Sequence, residues 1–345
     1  MNTPWTEFLV REGATLEDSG ICFETPETEV RAVESGTVVV PLVHLGLIRS
    51  AGDDSVNFLH NLLSNDVKKL GPLAAQWSSF NTPKGRMLAS LLLWNDATGQ
   101  MIAASADIQP TLQKKLSMYV LRSKVKVADA TADTALIGVS GASADAALAS
   151  AGLTAPVAPM SQSVTGELRC IRLDQRNLVI AVPIATAPEV FAKLVASGAA
   201  RAGTAAWQLA MIRAGLPLIT ATTQEEFVAQ MLNFEVIGGV SFNKGCYPGQ
   251  EIVARTQYLG KLKKRMYRVH VPGEASPAAG SDLFTPEFGD QSAGKLVNVA
   301  PAPAGGFEAL AVMQTSSAEA GEVHLGSPQG PRLQFLELPY VLPEK

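Results

Sequence analysis

The sequence predicts a multidomain α+β protein whose last part is a small β-barrel, and three observations carry that expectation. The chain has 345 residues, more than one compact core normally holds. Its first two thirds alternate apolar runs of helical period with runs of strand period. From about residue 263, short alternating runs are punctuated by Gly and Pro, the pattern of an all-β unit.

Composition narrows the function classes. Hydrophobic residues make up 47% and charged residues 17%, enough apolar material for burial and no mark of general disorder. A net charge of -4 argues against a non-specific nucleic-acid binder, so no direct nucleic-acid partner is expected. The stretch from Thr37 to Ile48, interrupted by Pro41, His44 and Gly46, falls short of the ~20 apolar residues that span a bilayer and reads as one or two buried strands. Met1 to Gly13 contains Glu7, Arg11 and Glu12 and no apolar signal core, so a cytoplasmic protein without a membrane partner is expected. Cys22, Cys170 and Cys246 are widely spaced and form no zinc or cluster-ligand pattern, so no metal site is expected.

The elements follow in order. Leu45 to Ser50 reads as a strand; Asp53, Asp54 and Ser55 can cap a helix whose apolar face is Val56, Leu59, Leu62 and Leu63. Trp77 to Trp94 predicts a β-hairpin turning at Asn81 to Gly85. Ile108 to Val120 predicts a helix, and Arg122 to Val127 has strand-like alternation. From about Ala130 the reading is strand (135–139), helix (144–151), strand (167–174), strand (177–182) and helix (187–196), the order of a small ferredoxin-like unit. A helix over Ala205 to Ala214 carries Trp207 and ends at Gly215-Leu216-Pro217. Barrel strands are expected at 266–271, 294–299, 307–313 and 332–336. The domain boundaries that follow are 1–130, completed by 201–262, then 131–200, then 263–345.

Chemistry concentrates in Lys244-Gly245-Cys246-Tyr247-Pro248-Gly249-Gln250-Glu251, continued by Arg255. Two glycines and a proline fix a turn where backbone can approach a ligand closely. A thiol between Lys244 and Arg255 sits in a field that favours thiolate. If the segment after Gly249 is helical, Glu251 and Arg255 are four apart and can pair. Against this stands the plain reading of Cys246 as one more buried thiol. Trp207 could stack on a flat heteroaromatic ligand, although a helix tryptophan more often packs a core. The basic run Lys261, Lys263, Lys264, Arg265 and Arg268 could meet carboxylates or phosphates, but reads better as a solvated approach to a strand. Gly138 to Ser143 faintly suggests a phosphate loop but lacks its glycine spacing and lysine. The four histidines, His44, His60, His270 and His324, have no ligand spacing and read as structural.

The cysteine turn resembles the signature of the YgfZ family of folate-binding proteins, read here as Lys244-Gly245-Cys246-Tyr247, Gly249-Gln250-Glu251 and Arg255. Ser64-Asn65-Asp66-Val67, Lys84-Gly85-Arg86, Arg122 to Val125, Asn233 to Phe242 and Leu338-Pro339-Tyr340 fall in the family's order. The resemblance implies the fold of the glycine-cleavage T-protein (GcvT-like), with ferredoxin-like α+β domains around a central folate channel and a C-terminal β-barrel. It implies tetrahydrofolate, or a one-carbon derivative, as cofactor, with Trp207, Asn233, Tyr247 and Gln250 as its contacts. It implies Cys246 as the functional thiol, supported by Lys244, Glu251 and Arg255. The implied role is assembly or repair of 4Fe–4S clusters in client enzymes, including radical tRNA-modifying enzymes. Its partners would be those clients or the iron–sulfur assembly machinery.

The rival is a folate-dependent aminomethyltransferase like the T-protein itself. That reaction needs a carboxylate beside the folate to position the attacking nitrogen. Gly85 to Asn95 contains none, and Leu88-Ala89-Ser90 lies where the T-protein's paired aspartates are expected. Met231 falls near its folate-facing glutamate. A chain lacking both should bind folate without efficient aminomethyl transfer.

Overall fold

A computed structural model describes residues 4–17, 20–258, 260, 262–273 and 276–343. The chain forms two compact units: Met1–Phe58, Lys68–Gln76 and Leu92–Ala210 make one, and Leu59–Val67, Trp77–Leu91 and Met211–Lys345 make the other.

The first unit is built on a six-stranded sheet ordered Gln162–Thr165, Leu168–Arg172, Asn177–Pro183, Thr134–Ser140, Val38–Pro41, Ala200–Arg201. Only the last pair is parallel. The Val-Val-Val-Pro strand is buried along its length, as a central strand covered on both faces must be. The helices Pro4–Arg11 and Ala187–Ala196 bury one face each, and Trp5 meets Phe191 edge-on at 5.8 Å. Isolated helices this short are marginal in water, so burial of these faces holds them. The same unit contains antiparallel pairings of Leu45–Ala51 with Gln100–Ser105 and with Lys126–Asp129, and of the second half of Met87–Asn95 with Gln100–Ser105.

Most expected elements form close to their expected limits. The segment Arg122 to Val125 does not join a strand. Leu121 adopts φ 44°, and Lys124 is pinned by Asp54, whose carboxylate accepts the Lys124 N–H at 2.8 Å. A Cβ on Gly52 would lie 2.1 Å from the Lys124 carbonyl oxygen, so the backbones meet there only because residue 52 is glycine. The strand Gln162–Thr165 adds one more to the expected ferredoxin-like order; its two exposed threonine-end residues gave it little apolar signal.

In the second unit, a six-stranded antiparallel sheet runs His324–Leu325, Asp282–Phe284, Gly294–Pro301, Phe307–Gln314, Lys264–Val271, Gln334–Leu336. A bridge from His324 to Arg332 and a Leu333 N–H to Val323 carbonyl bond bring its two edges together, so the sheet curls as a barrel. Val269, Val271, Leu296, Ala309, Ala311 and Met313 fill it, alternating along their strands. The register shifts between Leu296 and Asn298, and Asn298 there exchanges two 2.9 Å hydrogen bonds with the Leu218 backbone.

The basic run at the start of this barrel is solvated only in part: Lys263 is exposed, but the arginines are not. Arg265 pairs with Glu235 and Arg268 with Glu308, both at 2.7 Å, with all four side chains largely buried. Each long apolar stem lies along the barrel while its head finds a carboxylate. Lys261 lies outside the described residues. No helix among the described residues is long and apolar enough to cross a membrane.

Candidate functional site

The second unit gathers three separated sequence segments at the cysteine turn. Ser64 accepts from the Ser79 N–H at 2.8 Å and donates to the Gly239 carbonyl at 2.7 Å. Asn65 donates to the carbonyls of Trp77 and Gly238, both at 2.7 Å. Two small polar side chains thus tie the hairpin strand Ala75–Asn81 to the segment leading into Lys244.

Lys244 closes the arrangement. Its ammonium donates to the carbonyls of His60 and Leu63, at the C-terminal end of the helix Ser55–Leu62. Those carbonyls have no partner within the helix, and the helix dipole favours a cation there. The same ammonium lies 4.7 Å from the centroid of the Tyr247 ring. Tyr247 is 6% exposed, and burial pushes its hydroxyl up to about 12.

The turn then presses onto the hairpin. Gly249 has φ 81°, and a Cβ there would lie 2.6 Å from Gly85 Cα and from the Thr82 carbonyl oxygen. Gly85 is also left-handed, with Ile252 2.9 Å from where its Cβ would sit. Two glycines facing each other allow a backbone contact that no side chain could share. The helix Gln250–Tyr258 starts directly after it, with Glu251 and Arg255 exposed; no ion pair joins them among the described residues.

Cys246 is exposed and carries no disulfide; the plain reading of a buried thiol therefore fails for it. It does hold for Cys170, which burial pushes up to about 11. Cys22 is raised by burial and by its contact with Glu17.

Asn233 lies in the same unit, wholly buried and left-handed at φ 57°. It donates to the Met266 carbonyl at 2.9 Å and accepts from Arg265 at 3.1 Å. Gln230 donates to the Val253 carbonyl at 2.6 Å, holding the signature helix from below. Trp207 belongs to the first unit and is 3% exposed; a Cβ on Gly138 would lie 2.5 Å from its ring, so the indole rests on bare backbone. The fold brings Lys244, Cys246, Tyr247, Gln250, Glu251 and Arg255 together on one turn and helix, with Asn233 beneath in the same unit.

Two features went unread in the sequence. His60 Nδ1 lies 3.0 Å from Asp66 Oδ1, both nearly buried, close to the cysteine turn. Their six-residue spacing has no motif, and only the family segment Ser64–Val67 hinted at the place. Asn81 is 2% exposed, and both its side-chain nitrogen and oxygen lack a protein partner. Where carboxylates are expected for aminomethyl transfer, Ser90 stands, and its hydroxyl is taken by the Ile219 N–H at 2.9 Å.

The chain matches the family described as GCVT N-terminal domain over residues 12–166. It is similar to the tRNA-modifying protein YgfZ of Enterobacter sp. (strain 638), 32% identical over 264 residues, 75% of this chain and 79% of that one. The protein of the same name from Yersinia pseudotuberculosis serotype O:1b (strain IP 31758) is 30% identical over 269 residues, 76% and 81% of the two chains. Among solved structures, the glycine cleavage system aminomethyltransferase T from Bartonella henselae superposes with a TM-score of 0.81 at 19% identity, covering 99% of this chain and 98% of that one, a likeness of fold.

Proposed function

The chain belongs to the YgfZ family of tRNA-modifying proteins, and from that premise we propose that it binds tetrahydrofolate or a one-carbon derivative and assists assembly or repair of 4Fe–4S clusters in client enzymes. Radical tRNA-modifying enzymes are among those clients, and the work is done in the cytoplasm. The observation that carries this reading is the exposed Cys246 on a turn locked by Lys244 on one side and by the Gly85–Gly249 contact on the other. So much fixed structure around one exposed thiol is poorly explained by packing alone.

The residues present fit a folate. Asn81 offers a buried donor and a buried acceptor with no protein partner, the complement of a pterin's mixed hydrogen-bonding edge. Trp207, Asn233, Tyr247 and Gln250 are the further contacts proposed. When bound, the folate supplies a reduced pterin able to carry a one-carbon unit; the chain supplies orientation and a thiol. The absence of a carboxylate from Gly85 to Asn95 favours binding over aminomethyl transfer.

Complementation tests this. In a bacterial strain lacking its own YgfZ, the parent chain should restore 4Fe–4S-dependent tRNA methylthiolation and the Cys246→Ala variant should not. A well-expressed parent chain that fails to rescue would overturn the cluster role and turn attention to aminomethyl transfer. Titration calorimetry tests the cofactor separately: Asn81→Ala should weaken tetrahydrofolate binding about tenfold or more, the effect of losing a buried hydrogen-bonding group.

A further inference from the structure

We infer that the end of the helix Gln109–Met118 and the loop after it form a docking surface for a partner protein that presents an apolar groove with an acidic rim, and that this partner is the client 4Fe–4S enzyme. Naming the client rests on the cluster-maintenance reading; the surface itself rests on exposure and charge. Met118 is 76% exposed, Tyr119 48% and Leu121 89%. One exposed apolar side chain would need no explanation, but here three large ones stand within four residues. Around them the charge has one sign. From Ile108 to Val127 the chain holds Lys114, Lys115, Arg122, Lys124 and Lys126, all exposed, and no acid, in a protein of net charge -4.

The exposure is built into the fold. Leu112 and Leu116 bury one face of the helix. Lys114 and Met118 are four apart, as are Lys115 and Tyr119, so cationic and apolar side chains share the solvent face. Gln113 donates to the Val127 carbonyl at 3.0 Å and fastens the helix to the strand that follows. In the loop, the Ser123 N–H bonds the Val120 carbonyl at 2.8 Å, and the Lys124 N–H bonds the Asp54 carboxylate at 2.8 Å. Beside these anchors Leu121 is left-handed at φ 44°, a conformation that costs a leucine energy and that its exposure does not repay in packing. Strain retained at an exposed apolar residue points to a functional surface. Arg122 to Val125, one of the segments that carry the family resemblance, receives no role from folate or thiol; docking supplies one.

Charge selects the occupant. Asp53, 3.6 Å from the Lys124 ammonium, and Asp54 offset part of the basic field but leave the helix side of it cationic. A second copy of this chain would set cations against cations across a two-fold contact. RNA stacks its bases on rings, and Met118 and Leu121 offer none. A lipid surface takes a broad amphipathic face, whereas these apolar residues occupy one short tip. A protein groove with an apolar floor and a rim of Asp and Glu complements both features. Apolar anchors at the centre and charge at the rim are the anatomy of a protein interface. The rim cations steer the encounter, so association slows as salt rises.

Biolayer interferometry of the full-length chain against the purified 4Fe–4S tRNA methylthiotransferase of the complementation strain tests this. The parent chain should bind, and less tightly as sodium chloride rises. Met118→Ser combined with Leu121→Asn should weaken binding about tenfold or more. Asparagine suits the left-handed conformation better than leucine, so this variant should unfold at no lower urea concentration than the parent. Lys114→Glu combined with Arg122→Glu should slow association about tenfold and flatten its salt dependence. Unmodified tRNA and phosphatidylglycerol vesicles are run in parallel. Equal binding of the enzyme by the parent and the Met118/Leu121 variant, or no binding by the parent, would overturn the inference. So would a loss confined to tRNA or vesicles. Complementation keeps the two readings apart: rescue by the Met118/Leu121 variant as full as the parent's counts against the surface, whereas failure of the parent itself counts against the cluster role.

Discussion

At the scale of single residues, the cysteine turn depends on glycine in a way that makes a sharp prediction. Gly249→Ala would place a methyl group 2.6 Å from backbone atoms of Gly85 and Thr82, in a left-handed conformation that alanine disfavours. The two penalties together should cost about 2–4 kcal/mol, measured by urea unfolding. Gly249→Ala should also loosen the turn and lower rescue even where the chain still folds. Trp207 needs two variants to separate its roles. Trp207→Ala removes a nearly buried indole and should destabilise by about 3–5 kcal/mol. Trp207→Phe keeps most of the ring, so a large fall in folate affinity with little change in stability would mark it as a ligand contact. Residue identities at the turn were legible in the sequence because they form a dense local pattern. The approach of the His60 ring to Gly245 was not, since only folding brings the two together.

Among elements, the barrel shows how charge joins strands to helices. Glu308 is buried between Arg213, from the helix Thr204–Arg213, and Arg268, from the strand Lys264–Val271, each at 2.7 Å. Burial alone would raise its carboxyl, but hydrogen bonds from the two guanidiniums outweigh that and hold it below the usual range. A lowered carboxylate contributes stability that is present above its unfolded value of about 4.3 and is lost as pH falls through its folded value. Glu308→Gln should therefore cost about 2–4 kcal/mol at neutral pH and flatten the loss of stability in acid. Glu235 works in the opposite sense. Burial raises it more than Arg265 lowers it, so its contribution fades as pH rises through its folded value. Neither pair was legible beforehand. Arg265 and Arg268 read as solvated because their carboxylates come from residues 235 and 308, and sequence spacing carries no record of such pairings. The amphipathic helices and the barrel strands were legible from their apolar periods. Arg122 to Val125 alternates like a strand but is bent by Leu121 and pinned by Gly52 and Asp54.

Across the whole molecule the three thiols sort by environment. Burial holds Cys170 at about 11 and raises Cys22, so both carry little thiolate at neutral pH, while Cys246 is exposed on its turn. Alkylation mapped by mass spectrometry should modify Cys246 first and Cys170 last; equal inertness of all three would sink the idea of an activated thiol. The Lys244 bond to the His60 carbonyl spans 184 positions and the Ser64 bond to Gly239 spans 175. During synthesis, Leu59–Val67 and Trp77–Leu91 are therefore made long before Met211 and the residues beyond it that complete their unit. For that interval the hairpin's apolar strand Met87–Asn95 has no finished core to cover it. The thiol turn thus arrives well after both segments, and a nascent chain paused before residue 244 should be a natural substrate for chaperones that shield unpaired strands.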